Sequence, residues 1–331
     1  MMTPNGKDHP SQYAIRTGNR ALQPPFAGTG RAGPGKPTGD RRLNVYIDGY
    51  NFYVPLTSSG KESDYELAWC NFWRLGEHLV QRLSQENHAF AGCRLGTVKY
   101  FTATIPDGMP SNPSGIRRKY NWLDALNKES QGRVEVVHGT FRPRKHRFYI
   151  ESGELDKLAR AGIPINWDLI RDKQRTYNPQ LTVHEEKQTD VMLASALLTD
   201  AALGRAGPPA RELVQKAPVH RSNTRPTPAP CQAAVVISAD IDFLPAAEMA
   251  AHVFQCPVAT AFAYPHSGYR LTELAADSDG LFIQRISEEE LRSCMLPGVV
   301  VLDGGKKVGM AEFKKSHFQR GASPGGQGVS T

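Results

Sequence analysis

The segment LNVYIDGYNFY, residues 43–53, opens with an apolar, β-branched run and breaks at Asp48-Gly49. Such a run reads as a strand buried on both faces, with the chain turning away at its carboxyl end. A second run of the same kind, AAVVIS at 233–238, is followed at once by Asp240 and Asp242. Between and beyond them the pattern alternates. Residues 65–86 show helical spacing of Leu67, Trp69, Trp73, Leu79, Val80 and Leu83, and 97–103 reads as a strand. Residues 114–128 read as a helix, 133–141 as a strand and 187–203 as a strongly apolar helix, and a helix is expected from Leu244 to Phe254. Residues 258–264 and 281–286 read as later strands, with a short helix around 271–276. Strands alternating with helices predict an α/β protein of three layers, α/β/α, with a mainly parallel sheet.

Composition supports a globular core with flexible additions. The chain has 331 residues, 40% hydrophobic and 22% charged, and its 30 Gly and 24 Pro are clustered. Residues 1–41 are basic and Pro/Gly-rich and are expected to be disordered, as are the basic tail and an insertion at 205–231. A domain over 42–298 follows, with Asp303-Gly304 marking a hairpin within 299–331. The net charge of +7 sits on these arms, which together carry +11 and leave the core at −4. Basic arms around an acidic core suit loose, salt-dependent gathering of a polyanion, and equally suit tails that simply stay solvated.

Several classes are excluded. The five cysteines form no C-x-x-C pair, against zinc and against a disulfide framework. No apolar run approaches the ~18 residues of a membrane span, so a cytoplasmic protein with no membrane association is expected. The GTGRAG run at 28–33 matches a dinucleotide fingerprint but has Pro24 and Pro25 before it and Pro34 after it, so the strand and helix it needs are missing. No P-loop is present, His184-Glu185 lacks the second histidine of a zinc protease, and Tyr50 stands where a dehalogenase-type phosphatase needs a second Asp. A strand followed by D-x-D also suits a nucleotide-sugar transferase, which leaves Asp48 and Asp190 without a role.

In parallel sheets ligands bind beyond the carboxyl ends of the strands. Asp48, Asp240 and Asp242 follow strand ends and Asp190 opens a helix, so all four can meet at one rim. Each alone is more simply a cap or turn residue. Together they form a constellation whose mutual repulsion, about 4 kcal/mol for two charges 4 Å apart at an effective dielectric near 20, a hard dication would relieve. Oxygen ligands suit Mg²⁺ or Mn²⁺, which can polarise a phosphodiester and orient a water.

The blocks YIDGYNFY (46–53), EEKQTDVMLASALLTDA (185–201) and VVISADIDFLPAAEMA (235–250) resemble the signature blocks of NYN-domain proteins, in the PIN-like ribonuclease superfamily. The resemblance covers about 42–204 and 232–286. It implies a PIN-like fold, a divalent metal, and endoribonuclease activity on RNA, taken here as single-stranded, with a non-catalytic RNA- or protein-binding module as the alternative. Asp48, Asp190, Asp240 and Asp242 match the acidic positions and are the expected metal ligands and catalytic residues. Asn51 orients a carboxylate or phosphate or caps a short helix at 52–56; Ser238 caps or hydrogen-bonds the rim; Lys187 falls within the motif. Asp279 could add a fifth carboxylate. Substrate phosphates are assigned to Arg117, Arg118 and Lys119 and to Arg142 and Arg144 with Lys145 and Arg147, base stacking to Tyr120 and Tyr149, and a metal-free general base to His138, His146 or His184. A homo-oligomer is left open, and the roles of 142–175 as a segment and of 205–231 are not assigned.

Overall fold

A computed structural model describes residues 41–59, 61–104, 113–147, 157, 160, 180–206, 226–266 and 281–313. Outside the described residues lie GTGRAG, Tyr149, Asp279, the expected helix at 271–276 and the segments 207–225 and 314–331. The chain divides by contact into residues 1–38 and 39–331, and every described residue belongs to the second unit.

Seven strands form the central sheet: β1 (Arg41–Asp48), β2 (Cys93–Thr104), β3 (Val134–Arg147), β4 (Gln180–Lys187), β5 (Ala233–Ile237), β6 (Val258–Ala263) and β7 (Leu281–Ile286). Their order is β4-β3-β2-β1-β5-β6-β7, all parallel except β4, which runs antiparallel to β3. The described helices are α1 (Gly49–Ser58), α2 (Glu62–Leu67), α3 (Phe72–Glu86), α4 (Pro113–Glu129), α5 (Thr189–Ala206), α6 (Leu244–His252) and α7 (Glu288–Ser293). Two further strands, β8 (Val299–Val301) and β9 (Lys307–Gly309), form the expected terminal hairpin, with Gly304 and Gly305 at positive φ in its turn.

Period-two alternation along the strands makes two cores. Leu43, Val45 and Ile47 of β1 and Val235 and Ile237 of β5 face the α1–α4 side, while Tyr46, Ala234 and Val236 face α5 and α6. Both faces are therefore covered, as an α/β/α sandwich requires, and complete burial of a Leu, Val or Ile contributes about 1.5–3 kcal/mol. Among the described residues no helix is long and apolar enough to cross a membrane. All five cysteines are buried free thiols.

The structure departs from expectation in four places. The single helix expected over 65–86 is two, α2 and α3. Cys70 bridges to Met295, and Asn71 Oδ1 accepts from Trp73 N and Arg74 N at 3.1 and 3.2 Å, which restarts the helix with a fresh cap. Beyond Thr140, β3 continues to Arg147 and pairs with β4, giving partners to part of 142–187. The short helix expected at 52–56 is the ten-residue α1, capped by Asp48 and not by Asn51. Both ends of the expected 205–231 insertion are structured: Arg205 and Ala206 end α5, and residues 226–231 are docked through bonds of Thr227 to Glu135 and of Ala229 to Asp200 and Asn44, while 207–225 lies outside the described residues.

A buried polar knot does that docking. Lys99 Nζ lies 2.6 Å from Asp200 Oδ2, with both side chains fully buried. Tyr46 donates its hydroxyl to the same oxygen at 2.7 Å, and Ala229 N donates to Asp200 Oδ1 at 2.7 Å. Asn44 Nδ2 donates to Ala229 O at 2.6 Å, and its Oδ1 accepts from Thr97 N at 3.1 Å where β2 bulges against β1. Burial pushes the Tyr46 phenol well above its ordinary pKa, so it stays a donor. Gly204 allows the approach of the returning chain, since a Cβ there would meet Cys231 O at 1.7 Å.

Asp200→Asn leaves the buried Lys99 ammonium uncompensated, and unfolding free energy should fall by about 3–5 kcal/mol in urea titration. A loss below 1 kcal/mol would show that the pair carries no structural weight.

Candidate functional site at the strand switch point

The strand order places β1 at the centre: the chain steps outward to β2 and β3 on one side, then returns to β5 on the other. Between two such neighbours the connections diverge to opposite directions and leave a crevice at the carboxyl ends. Ile47 pairs with Ile237, so Asp48 and Ser238, the next residues, stand side by side at that crevice.

Asp48 is 5% exposed and caps α1. Its Oδ1 accepts from Tyr50 N at 3.0 Å and Asn51 N at 3.2 Å, and its Oδ2 accepts from Asn51 Nδ2 at 2.6 Å and Ser238 Oγ at 2.9 Å. Gly49 is required after it, because a Cβ there would lie 2.5 Å from Phe101 O. From Ser238 the string continues. Asp240 N donates to Ser238 Oγ at 3.1 Å, and Asp242 N donates to Asp240 Oδ1 at 3.0 Å. Asp240 is half-buried and Asp242 exposed. Thus Asp48, Asn51, Ser238, Asp240 and Asp242 are joined by hydrogen bonds across two strand ends.

Asp190 is placed by a different element, the helix that follows β4. It occupies the first turn of α5 and is exposed, where a carboxylate complements the helix dipole. Gln188, just before α5, accepts from Thr140 Oγ1 of β3 at 3.4 Å, and Thr140 stands opposite Thr104 at the end of β2, so α5 starts at the same rim. Among the described residues no three His, Cys, Asp or Glu side chains are gathered closely enough to hold a metal ion.

The basic residues separate by role. Arg117 is exposed on α4 and Arg118 is buried. Lys119 Nζ donates to Thr102 Oγ1 and Ala103 O, each at 2.7 Å, which fastens α4 to the end of β2. Arg142, Arg144, Lys145 and Arg147 do not follow a strand end, as expected from sequence, but lie within β3, opposite Glu185, Val183, Thr182 and Gln180 of β4. That ribbon extends past Thr104, the last residue of β2 to pair with β3. Lys187 ends β4 opposite Thr140. His138 pairs with Thr102 on β3, whereas His146 and His184 lie on the ribbon.

Two rim residues escaped the sequence reading. Tyr50 is 61% exposed as the second residue of α1, two residues from Asp48; its position after an Asp-Gly break was the available signal. Thr102, which receives Lys119, carries no motif signal at all.

Desolvation raises the Asp48 pKa above its ordinary value of 3.8, and the bonds from Asn51, Ser238 and Tyr50 pull it down without cancelling the burial. The folded chain therefore holds that proton more tightly than the unfolded chain. Stability linked to Asp48 is full below 3.8 and is lost as pH rises through the folded pKa. For His138, desolvation and then the nearby Lys119 charge lower the pKa, which favours a neutral ring.

No protein-family model matches the chain. It is 26% identical over 273 residues to the 6-hydroxy-3-succinoylpyridine 3-monooxygenase HspA of Pseudomonas putida (strain DSM 28022 / S16), a match covering 78% of this chain and 71% of that one. A crystal structure of a protein of unknown function from Vibrio parahaemolyticus aligns with 75% of this chain and 93% of its own, at 12% identity and a TM-score of 0.30.

Carbon-detected NMR titration should find the Asp48 carboxyl titrating above 3.8, and Ser238→Ala, by removing a bond to the ionised form, should raise it further. A midpoint at or below 3.8, or a downward shift in the variant, would contradict the burial argument.

Proposed function

We propose that the protein is a divalent-metal-dependent endoribonuclease whose acidic rim hydrolyses phosphodiester bonds of single-stranded RNA. The observation that carries the reading is the bonded string from Asp48 through Ser238 to Asp240 and Asp242 at the switch point of the sheet. A sheet of this order binds ligands at that crevice.

The residues fit a hard cation by donor chemistry, since Asp48, Asp190, Asp240 and Asp242 offer oxygen alone. With no three potential ligands gathered among the described residues, at most two of these carboxylates would share one ion, and water and phosphate oxygens would fill the remaining positions. Mg²⁺ is commonly held in this manner. When bound, such an ion supplies charge for the developing phosphoryl oxyanion and an acidified water.

The chain's own groups have separate tasks. Asn51 and Ser238 hold Asp48 in one orientation, and Ser238 also fixes the backbone of Asp240. The half-buried Asp240 and the exposed Asp242 offer carboxylates to incoming ligands. Tyr50, the exposed ring nearest in sequence to Asp48, serves as a base-stacking surface.

A second reading rests on the similarity to the Pseudomonas enzyme, whose name describes a monooxygenase of a hydroxypyridine that bears a succinoyl group. On that reading the same crevice accepts a small anionic aromatic in place of RNA. The two differ in what is consumed, phosphodiester and water or oxygen and a reductant.

With labelled single-stranded RNA and Mn²⁺, the full chain should cleave, EDTA should abolish cleavage, and Asp240→Asn should reduce it on the order of 100-fold, the scale on which single electrostatic groups act in active sites. Cleavage surviving both treatments would remove the proposal. RNA binding without any cleavage would favour the non-catalytic module, and oxygen-dependent turnover of 6-hydroxy-3-succinoylpyridine would favour the second reading.

A further inference from the structure

Arg118 is 8% exposed, and its Nε and Nη1 have no hydrogen-bond partner. A permanently charged guanidinium in that condition is costly, and buried polar groups without partners are rare enough that each calls for a reason. Its surroundings are defined by packing. One turn further along α4, on the same helix face, Trp122 packs against the rings of Tyr100 and Phe72 at 5.3 Å each. That face of α4 therefore meets the sheet. The Arg118 charge also reaches α1, where it works to lower the Tyr53 phenol against the dominant effect of burial.

The next residue, Lys119, spends its ammonium on the end of β2 through Thr102 Oγ1 and Ala103 O. Across the β2–β3 register from Thr102 stands His138, whose Nδ1 is buried and likewise has no partner. A fixed ammonium and an orphaned imidazole nitrogen thus meet near the carboxyl end of β2, with the orphaned Arg118 guanidinium on the adjoining residue of α4. Asp48 ends the adjacent strand β1, one strand spacing or about 5 Å from β2. The rim is divided, carboxylates at β1 and β5, cationic and imidazole nitrogens at β2 and β3.

We propose that Arg118, with Lys119 and His138, forms a phosphate-binding subsite on the α4 side of the rim, which receives a backbone phosphate of single-stranded RNA next to the acidic crevice. Arg118 supplies unmatched N–H donors on Nε and Nη1, which make charge-assisted hydrogen bonds to phosphate oxygens. Lys119 supplies fixed positive charge, and His138 Nδ1 takes the role that its tautomer allows. The subsite rests on RNA being the substrate but not on RNA being cleaved. It also distinguishes the three neighbours that sequence alone treats as equivalent, because Arg117 is on the exposed face.

The test uses the full chain in EDTA, so that binding is read without hydrolysis and independently of the cleavage assay. Fluorescence anisotropy with a labelled single-stranded RNA decamer measures affinity, and thermal shift with pyrophosphate serves as the small-phosphate probe. Arg118→Met should weaken RNA binding at least tenfold and reduce the salt slope by about one, as expected for loss of one phosphate contact. Arg118→Lys should restore part of the affinity, and Arg117→Ala should change it less than threefold. Without ligand, Arg118→Met should melt no lower than the parent, since it removes an unmatched buried charge. RNA affinity unchanged in Arg118→Met overturns the subsite. So does a loss of the pyrophosphate shift with RNA binding intact, which would assign the site to a free phosphate. A lowered melting point with both probes unaffected overturns it too, and would mean that a carboxylate of the chain itself answers Arg118. Should Arg118→Met fail to fold by circular dichroism, Arg118→Lys decides alone, unchanged RNA affinity and salt slope again overturning the subsite.

Discussion

The ion pair between Lys99 and Asp200 sits fully inside the molecule, and the arrangement of the rim depends on it. Each partner would be costly to bury alone, so the two must meet, and they meet only if α5 lies across β1 and β2 with its carboxyl end over the amino ends of the strands. An 18-residue helix spans about 27 Å, so the same constraint carries its amino end, with Asp190, to the opposite rim. Asn44 and Tyr46 on β1 complete the anchor, and Asp48, two residues beyond Tyr46, ends the same strand. One strand thus ties the structural knot at one end and opens the acidic crevice at the other.

The crevice itself follows from strand order. Among the described strands only β1 and β5 have neighbouring carboxyl ends whose connections leave in opposite directions, and both are followed by carboxylate-bearing turns. Hydrogen bonds make the array rigid, because Asp48 is held on all sides by backbone, amide and hydroxyl donors. Burial works in the other direction and raises its pKa. The balance leaves a carboxyl group that is positioned firmly and titrates less readily than an exposed one. Lys119, fastened to the end of β2, sets a positive charge one strand away from the carboxylates that follow β1 and β5.

Period-two and helical patterns made most of the architecture legible. The strands at 43–48, 233–237 and 258–263 were readable because interior parallel strands are apolar on both faces, and that signal is local. The break between α2 and α3 was not, since the apolar spacing runs through it and the interruption comes from a bridge to Met295, more than 200 residues away. The β3–β4 ribbon was hidden for a related reason. Its residues are charged and polar, and their pairing is a matter of long-range register.

The amino-acid sequence by itself determined the fold class and the four aspartates at strand ends and a helix start, because apolar runs and acidic turns are written in neighbouring residues. Tertiary structure alone decided that Asp48 and Ser238 become adjacent, that Asp200 closes on Lys99, and that of Arg117, Arg118 and Lys119 only Arg118 is enclosed without partners. Those outcomes depend on which strand pairs with which and on how a helix is rotated against the sheet. Such choices are made by packing across the whole core, where no short stretch of chain carries the information.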